Sequence, residues 1–488
     1  MMKSKTNQAN NPVQVSIFHT NDMHGRLEDM ARLSTFSRKL RDKANLKGIK
    51  TFFWDAGDAA DRRIPFCGAT KGAAFPQILN AMGYSLQAMG NAISVTYGPQ
   101  FMTEVAARSE FPILAANFQD GNGPVVNGMK EYEIIQLNET LRMGVIGFTA
   151  SAEQFYILFG LHIPDFREIA RKLVAQLRSE GANIIVILSH LGLNDDQKLA
   201  DEVDGIDLII GGHSHSRLEN GELRNGVLIA QTGALAKAIG RIDLTIDPQN
   251  GNILSRKAHI LDVPEDTKMD PAVLEAIKNA EEEAKEIMAQ PIGKLAGNFD
   301  HDYFRDCGIG NLAADALKER FDADVAIITG GLFHGPLQAG TLTLGQLDAA
   351  CFTTANPWLS EIRGEQILAA LERSLQPEIM KFEHGSLRGA PVGIPQISGM
   401  QVYYDSEAEQ APRLQKVLVN DQPIELDRLY RVAHTDAETM KEVGCLQIDH
   451  EQIIKQEVPT ILREAMADYI QEHSPLPVPQ GNRWVAIN

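Results

Sequence analysis

The apolar run Ile206-Asp207-Leu208-Ile209-Ile210 stops at Gly211-Gly212-His213-Ser214-His215. A run this short and this apolar reads as a buried strand. Histidines at i and i+2 behind it turn two imidazoles into one crevice, and the glycines let the backbone bend close to whatever sits there. Four earlier strand-like runs end the same way. Val13 to His19 leads into Asp22 and His24, Thr51 to Trp54 into Asp58, Ser85 to Met89 into Asn91, and Asn183 to Leu188 into His190. Polar, ligand-type residues gathered at strand ends, with helical spacing between the strands, describe an α/β layered domain.

The intervening segments fit that class. Leu33, Phe36 and Leu40 are spaced as on a helix, as are the apolar residues of Phe166 to Leu177. Phe111 to Asn117 reads as a strand and Glu131 to Phe148 as a hairpin, while Gly226 to Gln231 and Ile239 to Ile246 alternate like further strands. From Asp270 to Ala289 the chain becomes rich in Glu, Lys and Ala, with Val273, Ile277, Ala284 and Met288 at helical spacing. This reads as a linker helix. Beyond Pro291 helices are expected at Asn311 to Phe321, Leu344 to Ala350, Glu365 to Leu375 and Ile461 to Glu472. Strands are expected at Val325 to Thr329, Gln401 to Tyr404 and Leu429 to Ala433. A chain of 488 residues exceeds one typical core. The expected division is a first domain over 12–265, the linker over 266–290 and a second domain over 291–488.

Charge and cysteines narrow the function. Lys+Arg 46 against Asp+Glu 64 gives a formal net charge of −18, which argues against nucleic acid or an anionic membrane as partner. Cys67, Cys307, Cys351 and Cys445 form no CxxC pair, which excludes a zinc ribbon or a redox motif. Both free buried thiols and one or two disulfides remain open. The polar stretch Met1 to Asn11 has no apolar core of a signal peptide, and no run is long enough to span a membrane. A cytoplasmic location is expected.

The donor set is carboxylate, imidazole and carboxamide without thiolate, which suits Mn, Zn, Fe or Mg better than a structural zinc. The expected arrangement is Asp22, His24 and His215 around one ion, Asn91, His190 and His213 around a second, and Asp58 bridging. A single histidine at a strand end is more often structural; the set in this order is what points to metal. Two divalent ions about 3.5–4 Å apart polarise a phosphoryl oxygen and supply a hydroxide for in-line attack. Hydrolysis of a phosphate ester is the expected chemistry.

His19-Thr20-Asn21-Asp22-Met23-His24-Gly25, Asp55-Ala56-Gly57-Asp58, Gly90-Asn91, Ser189-His190 and Gly211 to His215 resemble the metallophosphoesterase domain of the 5′-nucleotidase family. Gly310-Asn311-Leu312-Ala313-Ala314-Asp315-Ala316, Ala323-Asp324-Val325 leading to Gly330-Gly331, and Ala339 to Thr343 resemble that family's C-terminal domain. The resemblance implies a four-layer sandwich of two mixed sheets flanked by helices, followed by a second α/β domain that binds the substrate. It also implies a small-molecule phosphoester, of nucleotide type, as partner.

Against that pattern the chain departs in three places. The family follows Gly-Asn with His-Glu and an Asp close behind, a dyad that assists the leaving group or stabilises the transition state. Here the residue is Ala92. The family's Asn-Gly-Gly-Gly-Ile-Arg is matched by Thr329-Gly330-Gly331-Leu332-Phe333-His334, so His334 stands where an anion-binding arginine is expected. Its Pro-Phe-x-Asn falls near Phe352 and Asn356, and its late Gly-Asp-Gly-aromatic motif near Gly444 and Cys445, without an aromatic. The substrate contacts implied are therefore Gly330, Gly331, His334, Phe352 and Asn356. Two readings follow: a phosphoesterase with altered preference or reduced rate, and a catalytically impaired relative that binds metal or nucleotide as a sensor or scaffold. Oligomeric state is not legible.

Overall fold

The structure, a computed structural model, describes residues 11–119, 126–408 and 412–487. The polar segment at 1–10 and the final residue of the expected second domain lie outside the described residues. The chain divides into two compact units, Met1–Lys285 and Glu286–Asn488.

Thirteen strands of the first unit are β1 Val13–Thr20, β2 Lys50–Asp55, β3 Leu86–Ala88, β4 Ile113–Leu114, β5 Met129–Lys130, β6 Tyr132–Gln136, β7 Arg142–Phe148, β8 Ile184–Ser189, β9 Leu208–Ile210, β10 Glu222–Arg224, β11 Val227–Ala230, β12 Ala238–Ile246 and β13 Ile253–Asp262. They form two sheets, ordered β13-β12-β1-β2-β3-β4-β5 and β10-β11-β9-β8-β7-β6. β1 through β5 are parallel, with β12 and β13 antiparallel at one edge. β7, β8, β9 and β11 are parallel, with β6 and β10 antiparallel at the two edges. Both sheets are thus mixed.

Strand period places alternate side chains on opposite faces, and the packing follows it. Val15 and Ile17 of β1 share an apolar layer with Val186 and Leu188 of β8. Phe18 turns the other way, toward Met30 and Leu33 of the helix Leu27–Asn45. Ile185 and Ile187 pack with Leu173 and Leu177 of the helix Phe166–Ser179. Three apolar layers therefore separate helix, sheet, sheet and helix, which is the four-layer α/β sandwich. β8 is buried along its whole length, which is why it reads as a continuous apolar run rather than an alternating one. Parallel pairing brings the carboxyl ends of β1, β2 and β3, and those of β8 and β9, to one edge of their respective sheets, where crevices form.

Two expectations need correction or refinement. Of Phe111 to Asn117 only Ile113 and Leu114 form a strand; Ala115 N and Ala116 N still donate to Lys130 O and Gly147 O at 2.8 and 2.7 Å. The helix expected as a linker forms at Pro271–Met288, and Val273, Ala276, Ile277, Ala280 and Ala284 pack into the same apolar layer as Met30 and Leu33. Buried Asp270 at its start accepts from Ser34 Oγ at 2.8 Å and Arg38 Nη2 at 2.5 Å. Its apolar spacing records docking on the first unit.

The second unit has a five-stranded sheet ordered Gln396–Ser398, Val325–Ile328, Leu429–Thr435, Pro357–Arg363, Ile453–Gln456. Helices Gly308–Arg320 and Leu462–Glu472 pack on one face and Gly364–Ser374 on the other. Among the described residues no helix is long and apolar enough to cross a membrane. All four cysteines are buried and free.

Candidate metal centre

The turns that follow β1, β2 and β9 are built from left-handed backbone. Asp22, His24, Asp58, His213 and His215 have φ of 52°, 45°, 54°, 70° and 54°. Each such non-glycine residue costs on the order of 1–2 kcal/mol, and strain concentrated on five candidate ligands is the pattern of a functional site. The turns are locked by tertiary bonds: Asp22 N donates to Gly57 O at 2.9 Å, and His24 N to Asp58 O at 3.0 Å. Gly90 permits a close approach to Asp58. A Cβ there would lie 2.1 Å from Asp58 Oδ1.

These turns bring the predicted side chains together in two groups. The ligand atoms of Asp22, His24 and His215 lie within 4.8 Å of one another, and so do those of Asp58, His190 and His213. His24 Nε2 and His215 Nε2 face each other at 3.0 Å, and His190 Nε2 lies 3.2 Å from Asp58 Oδ2. Asp22 Oδ1 is 3.5 Å from His215, 3.8 Å from His24 and 4.0 Å from His190, so this oxygen reaches both groups. Asp22 Oδ2 is tied back, accepting from Asn21 Nδ2 at 2.7 Å and His213 N at 2.8 Å. His190 Nδ1 donates to Ala56 O at 2.7 Å, which leaves Nε2 as the lone-pair nitrogen.

The fit to cations can be judged from what is left unpaired. Asp22 Oδ1 and Asn91 Oδ1 are buried without a hydrogen-bond partner, and buried His190 Nε2 faces the Asp58 carboxylate at 3.2 Å. An orphaned buried acceptor costs about 1–3 kcal/mol, and two of them on strand-end turns are of the kind that divalent ions satisfy. Electrostatics agree. Burial works against a charged His190, yet Asp58 and then Asp22 raise it to about 9. Burial likewise opposes ionisation of Asp58, but His190 holds it lower than an ordinary carboxylate. His213 is lowered, by burial first and then by His190.

Residues 15–217 match the calcineurin-like phosphoesterase family and residues 291–445 the 5′-nucleotidase C-terminal domain. Together the two matches give this chain the domain pair found in 5′-nucleotidases. That family's phosphoesterase domain uses divalent metals. The chain is 28% identical over 429 residues to the uncharacterized metallophosphoesterase YunD of Bacillus subtilis, covering 88% of this chain and 93% of the relative. Its fold is similar to a 5′-nucleotidase precursor of Thermus thermophilus, with TM-score 0.51 and 22% identity over 97% of this chain and 99% of that one. It is also similar to the NAD nucleotidase of Haemophilus influenzae, with TM-score 0.60 and 17% identity over 98% and 100%.

Supporting residues also emerge that the motifs did not show. Asp61 Oδ2 lies 3.5 Å from His24 Nδ1. It is buried and clamped by Arg63, whose Nε and Nη2 donate at 2.9 and 2.6 Å. This carboxylate is the first cause of the raised pKa of His24, and carboxylates behind histidine ligands set ring orientation and basicity. The cue was available, since Asp61 shares the turn of Asp58. Behind His190 and His213, Ser189 Oγ and Gln231 Nε2 donate to Asp196 at 2.5 and 2.9 Å, and Ser214 Oγ donates to Gln231 Oε1 at 2.9 Å. Burial raises Asp196 to about 7. Replacing Asp61 with asparagine should weaken metal retention about 10–100-fold, read by competition with a chromophoric chelator, with an unchanged circular dichroism spectrum.

At position 92 the backbone N of Ala92 donates to Asp58 Oδ1 at 2.8 Å. In the second unit, Gly330–Leu332 forms a tight turn after the strand Val325–Ile328. A Cβ on Gly331 would meet Pro391 O at 2.4 Å. His334 is half-buried and Phe352 partly exposed on the same unit. Asn356 Nδ2 is engaged by Thr460 O at 2.6 Å, which makes it an anchor of its own loop. Among the described residues one further group, Glu319, Glu472 and His473, has ligand-type spacing, but it is exposed and His473 pairs with Glu319 at 2.6 Å.

Proposed function

We propose that the first unit is a dinuclear metal-dependent phosphoesterase that hydrolyses a small phosphorylated molecule of the nucleotide class, with a preference or rate altered by the loss of the family dyad. The observation that carries this reading is the pair of ligand groups, Asp22 with His24 and His215, and Asp58 with His190 and His213, with Asp22 Oδ1 and Asn91 Oδ1 buried and unpartnered. Asp22, His24 and His215 would hold one cation, and Asn91, His190 and His213 the other, with Asp58 between them. Mn, Zn, Fe and Mg all suit this donor set. When bound, the pair would supply Lewis-acid polarisation of the phosphoryl group and a water acidic enough to act as nucleophile near neutral pH.

The chain's own residues account for the rest. Asp61 orients His24, the Ala56 carbonyl fixes the tautomer of His190, and the Ala92 backbone N–H holds Asp58 in place. No side chain at position 92 donates a proton to the leaving oxygen, so esters with good leaving groups should be favoured. A second reading, a binder with impaired catalysis, rests on that same alanine. Turnover of p-nitrophenyl phosphate by the full chain supplied with Mn, Zn, Mg or Co, against an Asp58→Ala control, separates the two. The enzyme reading requires metal-dependent turnover above the control, and none on mono-, di- or cyclic phosphoesters would leave only the binder.

A further inference from the structure

The second unit carries a cation that no family motif marks. Arg388 sits in left-handed backbone, with φ 56°. Its guanidinium carbon lies 3.3 Å from the centre of the Phe352 ring. Among the described residues no carboxylate pairs with it, although it is exposed. The loop that carries it is pinned to the Gly330–Leu332 turn and to the 301–304 segment: Gly331 N donates to Val392 O at 2.9 Å, and Ile394 N to Tyr303 O at 2.8 Å. His301 hydrogen-bonds to the backbone of Phe333, the residue before His334. His334 is lowered by burial first and then by the charges of Arg388 and His301. The buried Nε2 of His301 has no hydrogen-bond partner.

This arrangement bears on what the unit can bind. A base stacked between Phe352 and a second flat group needs two van der Waals spacings of about 3.5 Å each, and the guanidinium at 3.3 Å already occupies the first of them. No aromatic stands at Gly444 or Cys445 to make the sandwich on another side. What the cluster offers instead is an exposed, unpaired guanidinium with planar, fork-shaped donors, which matches a carboxylate or a phosphate, and His334 and His301 beside it.

We propose that Arg388, held on the ring of Phe352 beside His334 and His301, is the substrate-binding cation of the second unit, and that the part of the phosphoester bound there carries an anionic group of its own, a carboxylate or a second phosphate, rather than a base. This rests on the reading that the second unit binds the substrate of the metal centre. It places at position 388 the guanidinium that is missing at 334.

The test compares 3-phosphoglycerate with glycerol 3-phosphate, which differ by a carboxylate against a hydroxymethyl group. Affinity is measured on the metal-loaded full chain by calorimetry, and KM and kcat wherever turnover occurs. The wild type should bind 3-phosphoglycerate at least tenfold more tightly. Arg388→Gln should abolish that preference, chiefly by weakening 3-phosphoglycerate, and Arg388→Lys should retain part of it. A bisphosphate ester in a parallel arm distinguishes phosphate from carboxylate as the bound group. Equal affinity for both pairs in the wild type, equal weakening of both esters in Arg388→Gln, or tighter binding of adenosine 5′-phosphate than of ribose 5-phosphate would each overturn the proposal. Failure of the phosphoesterase reading has a different signature, absence of metal-dependent turnover, and calorimetry still decides the role of Arg388 in that case.

Discussion

An Asp58→Ala chain should lose about 10³-fold in kcat on p-nitrophenyl phosphate, the upper range for removing one preorganised electrostatic group from a site of this kind. Asp58 has two tasks that no neighbour can take over. Its Oδ2 lies against His190 Nε2 at 3.2 Å, within the group completed by His213, and its Oδ1 is held by Ala92 N at 2.8 Å. Removing the carboxylate also takes a negative charge out of the crevice, which then loses attraction for any cation. The fold should survive, because the turn is held by His24 N to Asp58 O, a backbone bond that alanine keeps. Steady-state kinetics with a thermal melt on the same preparation reads both. Unchanged kcat with an unchanged melt would remove Asp58 from the site.

Ala92→His should act in the opposite direction, and selectively. The methyl group is only partly buried, and the bond from its backbone N to Asp58 is independent of the side chain, so an imidazole can be added without dismantling the Asp58 contact. General acid assistance contributes about 10²–10⁴ in rate. With no aspartate beside it to orient the ring, about 10² is expected, confined to alkyl esters such as nucleoside 5′-phosphates. The p-nitrophenyl ester, whose leaving group needs no proton, should change by less than about twofold. Equal acceleration of both esters would mean that the imidazole acts on something other than the leaving oxygen. No change in either would place the limit on the missing carboxylate or on binding.

Much of the first unit was legible because its function and its topology use the same residues. β8 and β9 are buried on both faces, so they stand out as apolar runs, and chain direction puts the next polar residue at a crevice. That places His190, His213 and His215 at strand ends, and only the full set of residues there points to metal. Asp61 could not be ranked above the many surface aspartates, because its meaning comes from Arg63 and from a histidine on a different strand end. Asp196 looked like an ordinary helix residue in Leu193–Glu202; only the fold buries it under Ser189 and Gln231. The helix Pro271–Met288 was placed correctly, yet periodicity cannot say which body its apolar face meets. In the second unit the motif pointed at position 334, whereas the exposed guanidinium comes from Arg388, on a loop whose approach depends on small residues at 330 and 331.

The claim at the centre of this account is that the first unit holds a pair of divalent ions in the crevice of Asp22, His24, Asp58, Asn91, His190, His213 and His215. The direct measurement is metal content of the full chain by plasma mass spectrometry after equilibration with Mn or Zn and gel filtration. Two equivalents per chain in the wild type, falling to one or fewer in Asp58→Ala, is the predicted result. A wild type with no bound metal, or two equivalents left untouched by Asp58→Ala, would contradict it.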